Sequence, residues 1–258
     1  METGKRPPAY SLRALGRKGL PEVVEADDGV LYRLTRTIKH DFWAATGFYE
    51  GANGKAAVLK IGRVEPYAGI PFEWSGRFLC WREMRFYRAL ADVPNVPAIL
   101  GTVGRTGFLH EFVPGRPLAK DKPVPDTFFD ELQSLMAELH RRDIAYVDAN
   151  KPENILLGDD GHPHLIDFQI SWDLKELPNI WLNRWWLRRL QESDIYHVLK
   201  HKKRMRPDQL TDAERERVEK RGTLINLHRI LTKPYHKLRK HLFKRLEKSG
   251  RLLPEGSK

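Results

Sequence analysis

The sequence predicts an α+β chain of two lobes: an antiparallel sheet with one helix, followed by a compact, mostly helical lobe. Three observations carry this expectation. Strand formers and hairpin turns dominate residues 31–113, whereas apolar residues at helical spacing dominate from Pro125 onward. A chain of 258 residues, 41% hydrophobic and 31% charged, is long enough to bury a substantial core as one unit. The expected division is a tail or short helix at 1–29, a first lobe at 30–113 and a second lobe at 114–258.

The elements follow in order. Residues 1–29 contain Pro7-Pro8 and show weak apolar periodicity, hence the expected tail. Residues 31–38 (LYRLTRTI) read as a strand, residues 39–47 as a loop, and Phe48-Tyr49-Glu50 as a second strand. Asn53-Gly54 is a strong hairpin signal, and residues 56–61 (AAVLKI) form the third strand, with Lys60 among apolar neighbours. A lysine in a strand is commonly just an edge charge. A helix is expected over about 76–90, its stripe Leu79, Phe86 and Leu90 enclosing Glu83. A carboxylate inside an apolar stripe is costly unless paired; Glu73, which lies before the periodic segment, is the runner-up to Glu83. The alternative is a Glu83 at the margin of the stripe, reaching solvent. Residues 98–101 and 107–115 read as two further strands. Asp126 is the expected N-cap of an amphipathic helix whose stripe is Phe128, Leu132, Leu135, Met136 and Leu139. Beyond Ser171, helices are expected over 183–200, 211–220 and 223–248, with Trp172, Trp181, Trp185 and Trp186 as core.

Residues 144–171, IAYVDANKPENILLGDDGHPHLIDFQIS, concentrate polar groups around a strand–turn–strand pattern. A hairpin through the turn at 158–161 brings Asn154, before its first strand, and Asp167, after its second, to one end. Asp148 lies on the loop leading in. A carbonyl oxygen and a carboxylate converging there suit a hard, oxygen-preferring cation such as Mg2+. A surface hairpin with incidental polar residues is the competing reading.

These residues carry a resemblance to the protein-kinase-like superfamily. Tyr146-Val147-Asp148 stands where His-Arg-Asp is expected, Lys151-Pro152-Glu153-Asn154 matches the K-P-E-N form of the catalytic loop, and Asp167-Phe168-Gln169 replaces D-F-G. The strand around Lys60 resembles the one whose lysine holds ATP phosphates, and Glu83 its helix partner. Three departures stand out: one extra residue between Asp148 and Asn154, Val147 in place of arginine, and Gln169 in place of glycine. The loop at 39–47 also has a single glycine, Gly47, where protein kinases carry three. The absence of an A-P-E motif and the compact helical C-lobe resemble the bacterial lipopolysaccharide core (Kdo and heptose) kinases, with RIO-type kinases as near relatives.

The resemblance implies a kinase transferring the γ-phosphoryl group of ATP to a hydroxyl acceptor, with ATP and Mg2+ as cofactors. It implies Asp148 as base and Lys151 as steadying the migrating group. Lys60 and Glu83, with Lys39 and Gly47 in the phosphate-covering loop, would bind nucleotide. The Glu111 carbonyl and Val113 amide would take adenine, and Asn154 and Asp167 would hold the metal. A sugar of a lipid-linked glycan is the expected acceptor; a RIO-type protein serine/threonine kinase and a nucleotide-binding pseudokinase are the alternatives.

Net charge is +11, and between Arg184 and Arg251 there are 21 Lys and Arg against 8 Asp and Glu. That basic third suggests an anionic membrane surface as peripheral partner, with RNA as a lesser alternative. A single cysteine, Cys80, and no apolar run of membrane-spanning or signal-peptide type give the expectation of a cytoplasmic protein, peripheral on the inner face of the membrane.

Overall fold

The computed structural model describes residues 10–67, 70–176, 178 and 180–219. The helix expected over 223–248 lies outside the described residues. In the first lobe, β1 (Val23–Glu25), β2 (Leu31–His40), β3 (Ala44–Gly51), β4 (Ala56–Gly62), helix α1 (Glu73–Ala89), β5 (Ile99–Val103) and β6 (Gly107–Glu111) follow in sequence. The strands form one antiparallel sheet in the order β1-β2-β3-β4-β6-β5. Asn53-Gly54 makes the expected turn: Gly54 takes φ +76°, and Asn53 Oδ1 accepts the Lys55 amide at 3.0 Å. One face of the sheet buries Tyr32, Tyr49, Leu59 and Leu109.

The docking of α1 is set by close backbone approach. A Cβ on Gly76 would lie 2.2 Å from the carbonyl oxygen of Arg63, so only glycine lets the first turn of α1 sit on the end of β4. Two turns later the same helix face buries Glu83. The helix begins at Glu73, earlier than its apolar stripe indicates.

The second lobe holds β7 (Gly115–Pro117), α2 (Phe128–Arg141), β8 (Ile144–Ala145), β9 (Ile155–Gly158), β10 (Pro163–Leu165), β11 (Trp172–Asp173), α3 (Trp181–Met205) and α4 (Asp212–Glu219). All five stripe residues of α2 are buried, each worth roughly 1.5–3 kcal/mol of transfer free energy. Strands β9 and β10 form the expected hairpin, pairing Leu165 with Ile155, and β7 adds a third strand.

Four expectations are corrected. Of the segment expected as a tail or short helix, residues 1–9 lie outside the described residues, and 10–29, with one 3-10 turn at Tyr10–Leu12, pack onto the sheet: Leu12, Leu15, Leu20 and Val24 are buried, and β1 is an edge strand. Their spacing follows a winding segment, which has no period to read. The loop expected over 39–47 shrinks to 41–43, because β2 and β3 continue pairing as far as His40 and Ala45. Asp126 does not cap α2; Thr127 is the N-cap residue, without a side-chain bond, and Asp126 instead pairs with Arg206 at 2.6 Å. Of the four tryptophans expected in the core, Trp172 is half-buried in β11, whereas Trp181 is 78% exposed and Trp185 and Trp186 are also exposed.

Candidate active site

Strand β4 and helix α1 bring Lys60 and Glu83 together. Lys60 Nζ lies 2.7 Å from Glu83 Oε2 and 2.9 Å from Asp167 Oδ1, joining groups 23 and 107 residues apart in the chain. Glu83 is buried, so its margin-of-stripe reading falls away. Burial opposes the Lys60 ammonium, yet Glu83 and Asp167 together raise its pKa, keeping it charged. For Asp167 burial pushes upward, but the Lys60 charge wins and holds the carboxyl below its ordinary range.

Asp167 takes a left-handed conformation, φ +62°, at the end of β10. Tyr87, on α1, accepts the Asp167 amide at 3.1 Å. Phe168 is fully buried between the Tyr87 and Tyr146 rings, at 5.1 and 5.2 Å. Gln169 is not among the positive-φ residues, so glycine is not required there.

Below this group sits the loop between β8 and β9. Asp148 Oδ2 accepts Lys151 Nζ at 2.7 Å and Asn154 Nδ2 at 2.8 Å, while Oδ1 takes no bond among the described residues. Burial raises the Asp148 pKa above its ordinary value despite Lys151. With its Nδ2 turned to Asp148, Asn154 keeps its side-chain oxygen for another partner. The hairpin end holds as expected: the Ile166 amide donates to the Asn154 carbonyl at 3.1 Å, and the Tyr146 hydroxyl contacts both the Asn154 and Ile166 carbonyls. Asp148, Lys151, Asn154, Asp167, Lys60 and Glu83 therefore share one region between the lobes.

The extra loop residue has a visible accommodation. Ala149 is buried, and its carbonyl meets His201 Nε2, from α3, at 2.9 Å. Asn150 is exposed, whereas Asp148 is buried with its carboxylate in the cluster. The insertion thus bulges away from Asp148.

Asp194 was not legible as a site residue. It is wholly buried on α3 and accepts the Tyr146 and Val147 amides at 2.8 and 2.7 Å and lies 3.1 Å from His140 Nε2. Val147 sits at φ +69°, costly for a β-branched residue, and the Asp194 bonds hold it there. Its one sequence signal is a rare acidic residue: α3 has seven Lys and Arg and only Glu192 and Asp194 against them.

Lys39 and Gly47 are not drawn into the cluster. Lys39 pairs with Asp41 at 2.7 Å, and Asp41 Oδ1 also accepts the Trp43 and Ala44 amides at 2.8 and 2.9 Å. Gly47 lies within β3, where a Cβ would strike Leu20 and Leu34, so its need for glycine is packing. At the strand end after β6, the Glu111 carbonyl lies 2.8 Å from His110 Nδ1. Burial lowers that imidazole's pKa to about 4, so the neutral ring donates. Glu111 and Val113 border a cavity of about 230 Å3 with Pro97 and Phe112. A cavity of about 850 Å3 lies away from the chemistry, between α2 and the β9–β10 turn.

A six-stranded sheet with its helix, set over a helical lobe bearing the catalytic-type loop, is the protein-kinase-like fold. Two solved structures from Chaetomium thermophilum share it. The chain is similar to the Rio2 kinase in an ADP/Mg2+-phosphoaspartate complex, at 18% identity and a TM-score of 0.53, covering 78% of this chain and 63% of that one. It is likewise similar to the Rio2 kinase structure at 17% identity and a TM-score of 0.54, covering 78% and 65%. The chain thus spans under two thirds of either one's length. No protein-family model and no curated protein sequence matches it.

Proposed function

We propose that this chain is a kinase that transfers the γ-phosphoryl group of ATP, with Mg2+, to a hydroxyl acceptor. The observation that carries the proposal is the Lys60 ammonium joined to both Glu83 and Asp167, beside an Asp148 carboxylate with one oxygen unengaged among the described residues. Bound Mg-ATP supplies the phosphoryl group and neutralises charge on it. The donor set fits a hard cation: the Asp167 carboxylate and the Asn154 side-chain oxygen would hold it. Lys60, fixed by Glu83, would orient the non-transferred phosphates, which transfer through a loose transition state demands more than covalent help. Asp148 Oδ1 would accept the acceptor's proton. Lys151, held at 2.7 Å from the same carboxylate, would steady the migrating group.

For the acceptor we favour a sugar hydroxyl on a lipid-linked glycan. Only a short segment separates Asp167 from α3, leaving no long activation segment to form a peptide platform. Protein serine/threonine phosphorylation of the RIO type is the second reading, and the likeness to the two Rio2 structures favours it.

The test is a thermal-shift titration with Mg-ATP, followed by radiolabelled ATP on cell-envelope and soluble fractions. Stabilisation by Mg-ATP and label in a lipid-extractable glycan are expected. No nucleotide-dependent shift would sink the kinase reading, and label confined to protein would replace the sugar acceptor by the second reading.

A further inference from the structure

Two rows of large apolar side chains stand exposed on elements that border the candidate active site. On α1, Trp74, Phe78 and Trp81 are 65%, 51% and 50% exposed. Their spacing puts them in one stripe, opposite the face that buries Gly76, Cys80, Glu83 and Tyr87. On α3, Trp181, Leu182, Trp185 and Trp186 are exposed on the face opposite buried Leu187, Asp194 and Val198. Isolated exposed hydrophobic residues need no explanation, but seven large apolar side chains gathered into two rows, each 40% or more exposed, make patches of the kind that mark an interaction site.

The rows flank one segment. Arg82 donates to the Ser171 carbonyl, and Arg85 lies 3.1 Å from Asp173 while its guanidinium sits 5.7 Å from the Trp81 ring. Asp173 is eight residues before Trp181, and Asn183 ties the start of α3 back to the Pro178 carbonyl at 2.7 Å. Arg189 likewise lies 5.6 Å from the Trp185 ring.

We infer that these two rows form a docking face for an anionic lipid bilayer. Tryptophan beside arginine is the chemistry of the headgroup region, where the ring takes the acyl boundary and the guanidinium the phosphate. The charge agrees: α3 is strongly basic, and residues 220–258 add twelve Lys and Arg against two Glu. No helix among the described residues is long and apolar enough to cross a membrane, and the docking inferred is of two exposed faces onto the bilayer surface. The inference deepens the proposed function and rests on it for its occupant: a lipid-borne acceptor would reach Asp148 from the bilayer. It also relocates the membrane contact, from the basic C-terminal third alone to the exposed aromatic rows of α1 and α3.

The test is flotation of the full chain with vesicles of phosphatidylcholine containing about one part in three phosphatidylglycerol, with brominated lipid to quench tryptophan. Binding with quenching in the unaltered chain is expected. The pairs Trp74→Ser with Trp81→Ser, and Trp185→Ser with Trp186→Ser, should each lower partitioning roughly tenfold while melting temperature holds. Three results overturn the inference: no flotation, flotation without quenching that high salt abolishes, or self-association lost in the tryptophan variants. The quenching needs no variant, so it stands even where a variant fails to fold. Vesicle binding alongside label confined to protein would sink the lipid-borne acceptor and leave the docking face intact.

Discussion

Two loops of this molecule hold the same pair of side chains and put them to different uses. In the β2–β3 loop, Asp41 accepts Lys39 at 2.7 Å; in the β8–β9 loop, Asp148 accepts Lys151 at 2.7 Å. The Asp41 carboxylate is about one third exposed and also takes two loop amides, and these bonds outweigh its burial and bring its pKa below the ordinary value. The Asp148 side chain is only 5% exposed and takes no backbone amide among the described residues, only Lys151 and the Asn154 side-chain amide, so burial wins and its pKa rises. A carboxylate saturated by its own turn is a structural group. One that is buried, with an oxygen left over, is poised to take a proton.

The sharpest way to break this comparison is Asp148→Asn. It keeps the size and removes the base, so kcat should fall by roughly 10²–10⁴-fold with nucleotide affinity nearly unchanged. Steady-state kinetics alongside a nucleotide thermal shift check it. Turnover within a few-fold of the unaltered chain would remove Asp148 as base.

Lys151→Met comes second. The ammonium stabilises the Asp148 carboxylate, so its loss should raise the Asp148 pKa further. Because the base works deprotonated, activity is lost as pH falls through that pKa, and the acid limb of kcat/KM should move to higher pH in the variant. A pH–rate profile checks this; an unmoved limb would detach Lys151 from the base. A fall in kcat at the plateau would report its second role, at the migrating group.

What the sequence discloses follows the same division. Lys60, Glu83, Asp148, Asn154 and Asp167 were legible through the resemblance of their motifs, with strand period supporting Lys60, the helix stripe Glu83 and hairpin register Asn154 and Asp167. Asp194, Tyr87 and His201 were not, since their partners Tyr146, Asp167 and Ala149 are set by tertiary packing across 48, 80 and 52 residues. The β2–β3 loop is shorter than its sequence indicates because Thr46 and Gly47 form strand through the pairing that β2 and β4 supply on either side. The tryptophans of α3 were misjudged because apolar content reads as core, a rule that fails where a surface serves contact.

Asp41→Ser should have the smallest effect, and it bears most directly on the contrast. Serine accepts fewer bonds than carboxylate but still favours the turn, so the loss should be about 1 kcal/mol or less, read as a melting shift of a few degrees. Since Asp41 already fills the Trp43 and Ala44 amides, the loop as it stands offers those two donors to no phosphate. Nucleotide affinity should then stay within about twofold, with binding carried by Lys60 and the groups around it. A variant that binds Mg-ATP several-fold more tightly would show that Asp41 occupies the anion's place, and that the loop becomes a phosphate cradle once its own carboxylate is gone. The two loops would then differ in which anion they hold, and no longer in whether they serve the nucleotide.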